Sequence, residues 1–207
     1  MKKFIIPFVI LFIPLLSTAQ LKKEAGLLFT NPVGVGNLAP FEQLGLSLKL
    51  GSANALWRMN LERASIAHFS DLTENQTVRN SSLGFDMAFG REWRKSGQQN
   101  FSFIYGADFL IGMNSAKTLS ENEIFVRRSK NLNMSYGLGA FLGVNYDLGE
   151  HFVFGLNYRP ELLYSTFKSE RESGSEGFET TSVQVVRRSL NLNFVNNNVL
   201  FSASYKF

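Results

Sequence analysis

The sequence predicts an all-β chain: an antiparallel up-and-down transmembrane β-barrel of about eight strands, preceded by a cleaved signal peptide. Three observations predict it. Apolar and non-apolar residues alternate with period 2 along nearly the whole chain after residue 20, which is the signature of strands with one apolar face. The opposite face is mostly Gly, Ser and Asn, with few charges. The connections between these segments alternate between short and long. Twenty Phe and seventeen Gly in 207 residues fit the same picture, the first supplying the apolar face and the second the crowded one.

The N-terminus comes first. Lys2 and Lys3 precede an apolar run from Phe4 to Leu16, and Ser17-Thr18-Ala19 places small residues before Gln20. This reads as a secretory signal peptide over residues 1–19, with the barrel over 20–207. The run is shorter than the ~20 apolar residues that a membrane-spanning helix needs. No Cys follows it, so no lipid anchor is expected, and the absence of Cys from the whole chain excludes disulfides and thiolate metal sites. Without Lys2 and Lys3, nineteen basic residues face seventeen acidic ones, a balance that gives no reason to expect nucleic acid as a partner.

The strands follow in order. Glu24 to Thr30 is the first. Leu44, Leu46, Leu48 and Leu50 then alternate with Gln43, Gly45, Ser47 and Lys49. Trp57, Met59 and Leu61 oppose Arg58, Asn60 and Glu62, and Leu83, Phe85, Met87 and Phe89 oppose Gly84, Asp86, Ala88 and Gly90. Phe101, Phe103, Tyr105, Ala107 and Phe109 form the next apolar face, against Ser102, Gly106 and Asp108. Met134 to Val144 and Phe152 to Tyr158 repeat the pattern, and Val199 to Phe207 closes it with Phe201, Ala203, Tyr205 and Phe207 on one side. A soluble barrel would put Lys, Glu and Thr on its watery face. Small polar residues instead suit the narrow lumen of a small membrane barrel. Trp57, Trp93, Tyr105, Tyr146, Tyr158 and Tyr205 lie on the apolar face, several near strand ends, as an interfacial girdle requires.

The connections 51–54, 94–99 and 147–150 are short, whereas 66–78, 113–130 and 165–181 are long and polar. In membrane barrels short turns face the periplasm and long loops face outward. Two counts give eight strands. Starting at Glu42–Gly51 and splitting the end at Asn196-Asn197-Asn198 puts the long connections on the periplasmic side with Phe207. Starting at Glu24–Thr30 and reading the end as one strand puts them on the far side. The second count is preferred, and it needs Val195 to Asn198 to act as a bulge that shifts the apolar phase from Leu190, Leu192 and Phe194 to Val199 and Phe201. Counts of nine or ten stay open.

With Leu46-Ser-Leu-Lys-Leu-Gly51, Ala55-Leu-Trp-Arg-Met-Asn60, Gly84-Phe-Asp-Met-Ala-Phe-Gly90, Tyr136-Gly-Leu-Gly-Ala-Phe-Leu-Gly143, Arg159-Pro-Glu-Leu-Leu-Tyr164 and the terminal Tyr205-Lys-Phe207, the chain resembles the porin-like families of small outer-membrane β-barrel proteins. The resemblance implies a Gram-negative outer membrane, its lipid as surroundings, and periplasmic chaperones and the barrel assembly machinery as partners during insertion. It also implies that the aromatic end, Phe207 with Tyr205, is the assembly signal. These motifs describe a wall and name no activity.

The chemistry that remains is sparse. His68, near Ser70 and Asp71 in the first long connection, is the one arrangement with the residue types of a hydrolase. Catalysis needs a base held beside its nucleophile and oriented by a third group, and no nucleophile motif surrounds Ser70, so a solvated residue is expected. His151 beside a short turn is far from His68, and two separated histidines make no metal site. The glycines of 137–143 lack the strand-to-helix context of a phosphate loop. Lys168 to Gly177 reads as a solvated charge run, and the sequons at Asn75 and Asn80 are uninformative in such a barrel.

Lys49, Arg58, Glu62, Asp86, Asp108, Arg159 and Glu161 all fall on the small polar face. Charges in a tight lumen must be paired, so a plug of ion pairs is expected there in place of a channel. Pairing Trp93 with Phe101 would set Asp86 opposite Asp108, with Arg58 opposite Asp86 on the preceding strand and Arg159 across the lumen. The function expected is an integral barrel of structural or surface-binding type, with a plugged lumen, no catalysis, no metal and no cofactor, its surface ligand unknown. The alternatives are a barrel enzyme acting on lipid or peptide at the outer surface, and a narrow pore.

Overall fold

A computed structural model describes residues 22–30, 43–73, 76–122, 125–175, 181–194 and 199–207. The expected signal peptide, the sequon at Asn75 and the expected bulge from Val195 to Asn198 lie outside the described residues. Ten antiparallel strands form one sheet: β1 (Lys22–Thr30), β2 (Gln43–Ser52), β3 (Ala55–Thr73), β4 (Gln76–Ser96), β5 (Phe101–Glu121), β6 (Phe125–Leu148), β7 (Phe152–Tyr158), β8 (Glu161–Ser175), β9 (Thr181–Asn193) and β10 (Val199–Lys206).

These ten strands occupy eight positions in the wall. β7 and β8 pair with β6 in one continuous register, interrupted only at Arg159-Pro160. Proline has no N–H to donate, so the ladder loses a bond there, although the Ala140 N–H still donates to the Pro160 carbonyl at 3.2 Å. β10 pairs with β7 and β9 with β8, so these two also share a position. β10 pairs in turn with β1, which closes the ring β1–β2–β3–β4–β5–β6–β7–β10. Tyr158 pairs with Val199 and Glu161 with Asn193. Leu190 and Leu192 share the outward face of β9, and Val199 and Phe201 that of β10.

The short turns after β2, β4 and β6 gather at one end with Phe207, here the lower end. Gly149 takes φ 69° in the β6–β7 turn, a left-handed backbone that glycine adopts without strain. The upper end differs from the expectation. The segments expected as long loops are largely strand: β3 runs to Thr73, β5 to Glu121, and β8 to Ser175. β4, β5 and β6 hold 21, 21 and 24 residues, against about 10 needed to cross a bilayer. The surplus pairs because polar side chains do not oppose strand formation while the neighbouring backbone remains available for hydrogen bonds. A six-stranded sheet of β3, β4, β5, β6, β8 and β9 therefore stands above the level of β1 and β2.

The polarity of this barrel is inverted relative to a soluble one. Glu24, Lys49, Arg58, Asn60, Glu92, Asp108, Asn145 and Arg159 are buried inside, with Glu92 at 0% exposure. Leu44, Leu46, Phe103, Tyr105, Leu138 and Leu142 face outward, with Leu142 at 63%. Water-exposed apolar patches of this extent would drive aggregation, whereas a bilayer solvates them. Aromatic rings cluster on the outside of the lower end: Phe101 on Tyr146 at 4.9 Å, Phe152 on Tyr205 at 5.4 Å, and Tyr205 on Phe207 at 5.4 Å. That is the position of an interfacial girdle.

Candidate functional site

Strand pairing aligns most of the inward charges in one row. Following directly opposed residues around the wall gives Lys206, Glu24, Lys49, Arg58, Gly90, Asp108, Gly139 and Glu161, from β10 through β1 to β6 and on to β8. Opposed residues lie about 5 Å apart on a shared face, so long charged side chains along this row meet. Because strands tilt in a closed barrel, the row climbs as it goes round. It starts beside the lower rim and ends above the Arg159-Pro160 break.

Two nodes organise the contacts. Glu92 receives the lower one: Lys49 Nζ lies 2.8 Å from its Oε2, Arg94 Nε 2.7 Å from its Oε1, and Arg58 Nη1 3.6 Å from Oε2. Arg94 also grips Glu24 with both terminal nitrogens, at 2.6 and 2.7 Å, a two-point match of guanidinium and carboxylate. Arg159 makes the upper node. It pairs through two nitrogens with Glu62, donates to Glu161 from Nε at 3.0 Å and Nη2 at 2.7 Å, and approaches Asp108 Oδ2 at 3.4 Å.

Arg58 joins the nodes. Its Nη2 is 3.2 Å from Asp108 Oδ2 while Nη1 faces Glu92, and its guanidinium carbon sits 3.9 Å from the centre of the Phe141 ring. The planar fork divides its donors between two carboxylates and lays its face on an aromatic ring, which an ammonium could not do. Gly90 makes the reach from Arg58 to Asp108 feasible. A Cβ there would overlap the Ala107 carbonyl oxygen and the Asp108 carboxylate.

The expected seven residues divide accordingly. Lys49, Arg58, Asp108, Arg159, Glu62 and Glu161 come together in this network. Asp86 does not. Trp93 pairs with Tyr105, not with Phe101, so Asp86 opposes Gly112 and stands four residues along the strand from the Asp108 row. On its other side it opposes Arg63, not Arg58, and bonds it at 2.8 Å where both are about one-third exposed. Arg58 itself opposes Gly90, four residues along β4 from Asp86. A bulge between Leu61 and Arg63 adds a shift of one residue that sets Arg63 in place of Glu62 opposite Asp86 and leaves Glu62 without an opposed residue. Two consecutive charges thereby serve the lumen, Glu62 toward Arg159 and Arg63 toward Asp86.

Glu24, Glu92 and Arg94 were absent from the sequence expectation. Continuing the alternation of β4 past Gly90 reaches Glu92 and Arg94, and Glu24 shares the inward face of Gly26 and Leu28, so the signal was present. His68, Ser70 and Asp71 lie in strand β3, not in a loop, and all three are exposed. Alternation puts Asp71 on the face opposite His68 and Ser70, so the three form no acid–base–nucleophile relay. Among the described residues no group of three His, Asp or Glu could hold a metal ion.

The inverted polarity and the closed ring decide the class. The chain is a small membrane-spanning β-barrel of the outer-membrane type.

No family model and no curated protein matches the chain. Among solved structures, it is similar to a major outer membrane protein of Thermus thermophilus, at 13% identity and TM-score 0.41 over 90% of this chain and 99% of that one. CarO of Acinetobacter baumannii matches at 8% identity and TM-score 0.34 over 89% and 96%. The outer membrane protein AlkL matches at 14% identity and TM-score 0.34 over 91% and 90%. The barrel assignment rests on this chain's own pairing and polarity.

Proposed function

We propose that the protein is an integral barrel of the bacterial outer membrane whose lumen is closed by its own charged side chains, and that it serves a structural or surface-binding role without catalysis. The observation supporting this is the connected ionic network from Glu24 on β1 to Glu161 on β8. Four bases and five carboxylates interlock there, and each is buried or nearly so. A solute crossing this level must part buried ion pairs, at about 3–5 kcal/mol for each one broken without replacement. An eight-position wall leaves little lumen beyond what side chains fill.

In this reading the tall β3–β9 sheet stands on the outer side and supplies the binding surface, while Phe207 and Tyr205 serve as the signal for the assembly machinery. Planar-bilayer recording of the purified barrel tests the closed lumen. The expected record shows no long-lived conductance steps. Large, stable steps would overturn the reading and make the network a gate.

A further inference from the structure

We propose that the outer face of the tall sheet, directly above the apolar band, binds the phosphate groups of lipid headgroups in the surrounding leaflet. The proposal rests on the outer-membrane reading above. Ile66, Leu83, Leu132 and Val186 share the highest register row on this face that holds more than two apolar residues, with Ser115 and Lys168 completing it. One row higher, two residues or about 7 Å along each strand, Lys117 stands directly opposite Lys130. In the row above that, Arg79 and Arg128 oppose Leu119 from its two sides. These four bases, with Glu170 and Glu172, line a cleft of about 450 Å³.

Two features point to an external anion. Like charges directly opposed on paired strands destabilise the pairing, so the Lys117–Lys130 pair is a cost that a bound anion removes. In the lumen every base of the network has a carboxylate partner, whereas among the described residues none of these four bases is ion-paired. On β8, Glu170 opposes Lys130 and Glu172 opposes Arg128. The cleft thus holds four cations against two carboxylates, an excess of two positive charges, with Lys117 and Arg79 lacking an opposed carboxylate. It sits at the height where an apolar band gives way to headgroups, and phosphate is the anion fixed at that height in a bilayer. Arginine offers paired donors to phosphate oxygens and lysine a compact charge, so the mixture suits a headgroup carrying more than one phosphate.

The test reconstitutes the full mature chain into phosphatidylcholine vesicles, with or without a diphosphorylated glucosamine glycolipid, or the same glycolipid dephosphorylated. Lipid retained through detergent exchange is then read by native mass spectrometry. The phosphorylated glycolipid should be retained and the dephosphorylated one lost. Lys117→Gln with Lys130→Gln should cut retention by about fivefold for each base removed. Both positions are on the outer face, so heat-modifiable electrophoretic mobility should remain that of the parent barrel. Equal retention of the two glycolipids, or unchanged retention by the double variant, would overturn the proposal alone. Displacement of the glycolipid by free inorganic phosphate at equal concentration would also overturn it, by making the cleft a solute site. Failure of the chain to insert into any vesicle would overturn the membrane reading and this proposal together.

Discussion

Arg58 reaches Asp108 across a strand that lies between them. The two residues belong to β3 and β5, and Gly90 of β4 stands in the row between, with Arg58 Nη2 3.2 Å from Asp108 Oδ2. A contact between next-nearest strands needs a gap in the middle one, and glycine provides it. Gly90→Ala should therefore act as a charge mutation without altering a charge. Its methyl group would occupy the space of the Asp108 carboxylate and press on the Ala107 carbonyl oxygen. The expected loss is about 3–5 kcal/mol, the cost of severing a buried pair. Urea unfolding of the detergent-refolded barrel measures it. A loss below ~1 kcal/mol would mean that the row relaxes without cost.

Arg159 sits among three carboxylates, those of Glu62, Glu161 and Asp108. Arg159→Met preserves much of the side-chain volume and leaves three buried anions with only Arg58 nearby. This variant should lose about 3–5 kcal/mol. Adding Glu62→Gln and Glu161→Gln removes two of the stranded charges and should recover part of the loss. A triple variant no more stable than Arg159→Met would show that arginine packing, not charge balance, dominates this node.

The face of each strand was legible in the sequence, whereas the alignment between strands was not. Period-2 alternation fixes which residues look inward, and it places Lys49, Arg58, Asp108 and Arg159 correctly. Register depends on where each turn closes, and two local events moved it. β4 continues to Ser96, which pairs with Ser102, so the turn is tighter and shifted relative to a hairpin that pairs Trp93 with Phe101. The bulge at Glu62 then changes the phase of β3 without any glycine or proline to mark it. A shift of a few residues moves a side chain to another row, which separates Asp86 from Asp108 although both still face the lumen. The tall sheet was missed for a different reason. Polar stretches such as 113–121 carry no apolar alternation, and their strands are held by backbone pairing with equally polar neighbours.

Asp86 and Asp108 should differ sharply as a result. Among the described residues Asp86 is ion-paired with Arg63 alone, where both side chains retain 35% exposure, and a solvent-screened pair of this kind contributes below about 1 kcal/mol. Asp108 is buried against two arginines, and removing it strands both. Asp86→Ala should leave the unfolding midpoint nearly unchanged, while Asp108→Ala should cost about 3–5 kcal/mol. Equal losses would favour a register in which the two aspartates share a site.

Phe207 offers a separation of assembly from stability. Its backbone N–H donates to the Lys23 carbonyl at 2.9 Å and its ring meets Tyr205 edge-on, yet the side chain remains 71% exposed. The folded barrel therefore loses little with it: one backbone bond, about 0.5–1.5 kcal/mol, and part of one aromatic contact. If the aromatic end is read by the assembly machinery, deleting Phe207 should lower the membrane-inserted fraction in cells severalfold. Refolding of the same variant into detergent should proceed almost as for the parent chain. Heat-modifiable mobility of cell-derived and refolded samples measures both. A parallel fall in the two would reduce Phe207 to a clasp on β1, and an unchanged cellular yield would remove the signal reading altogether.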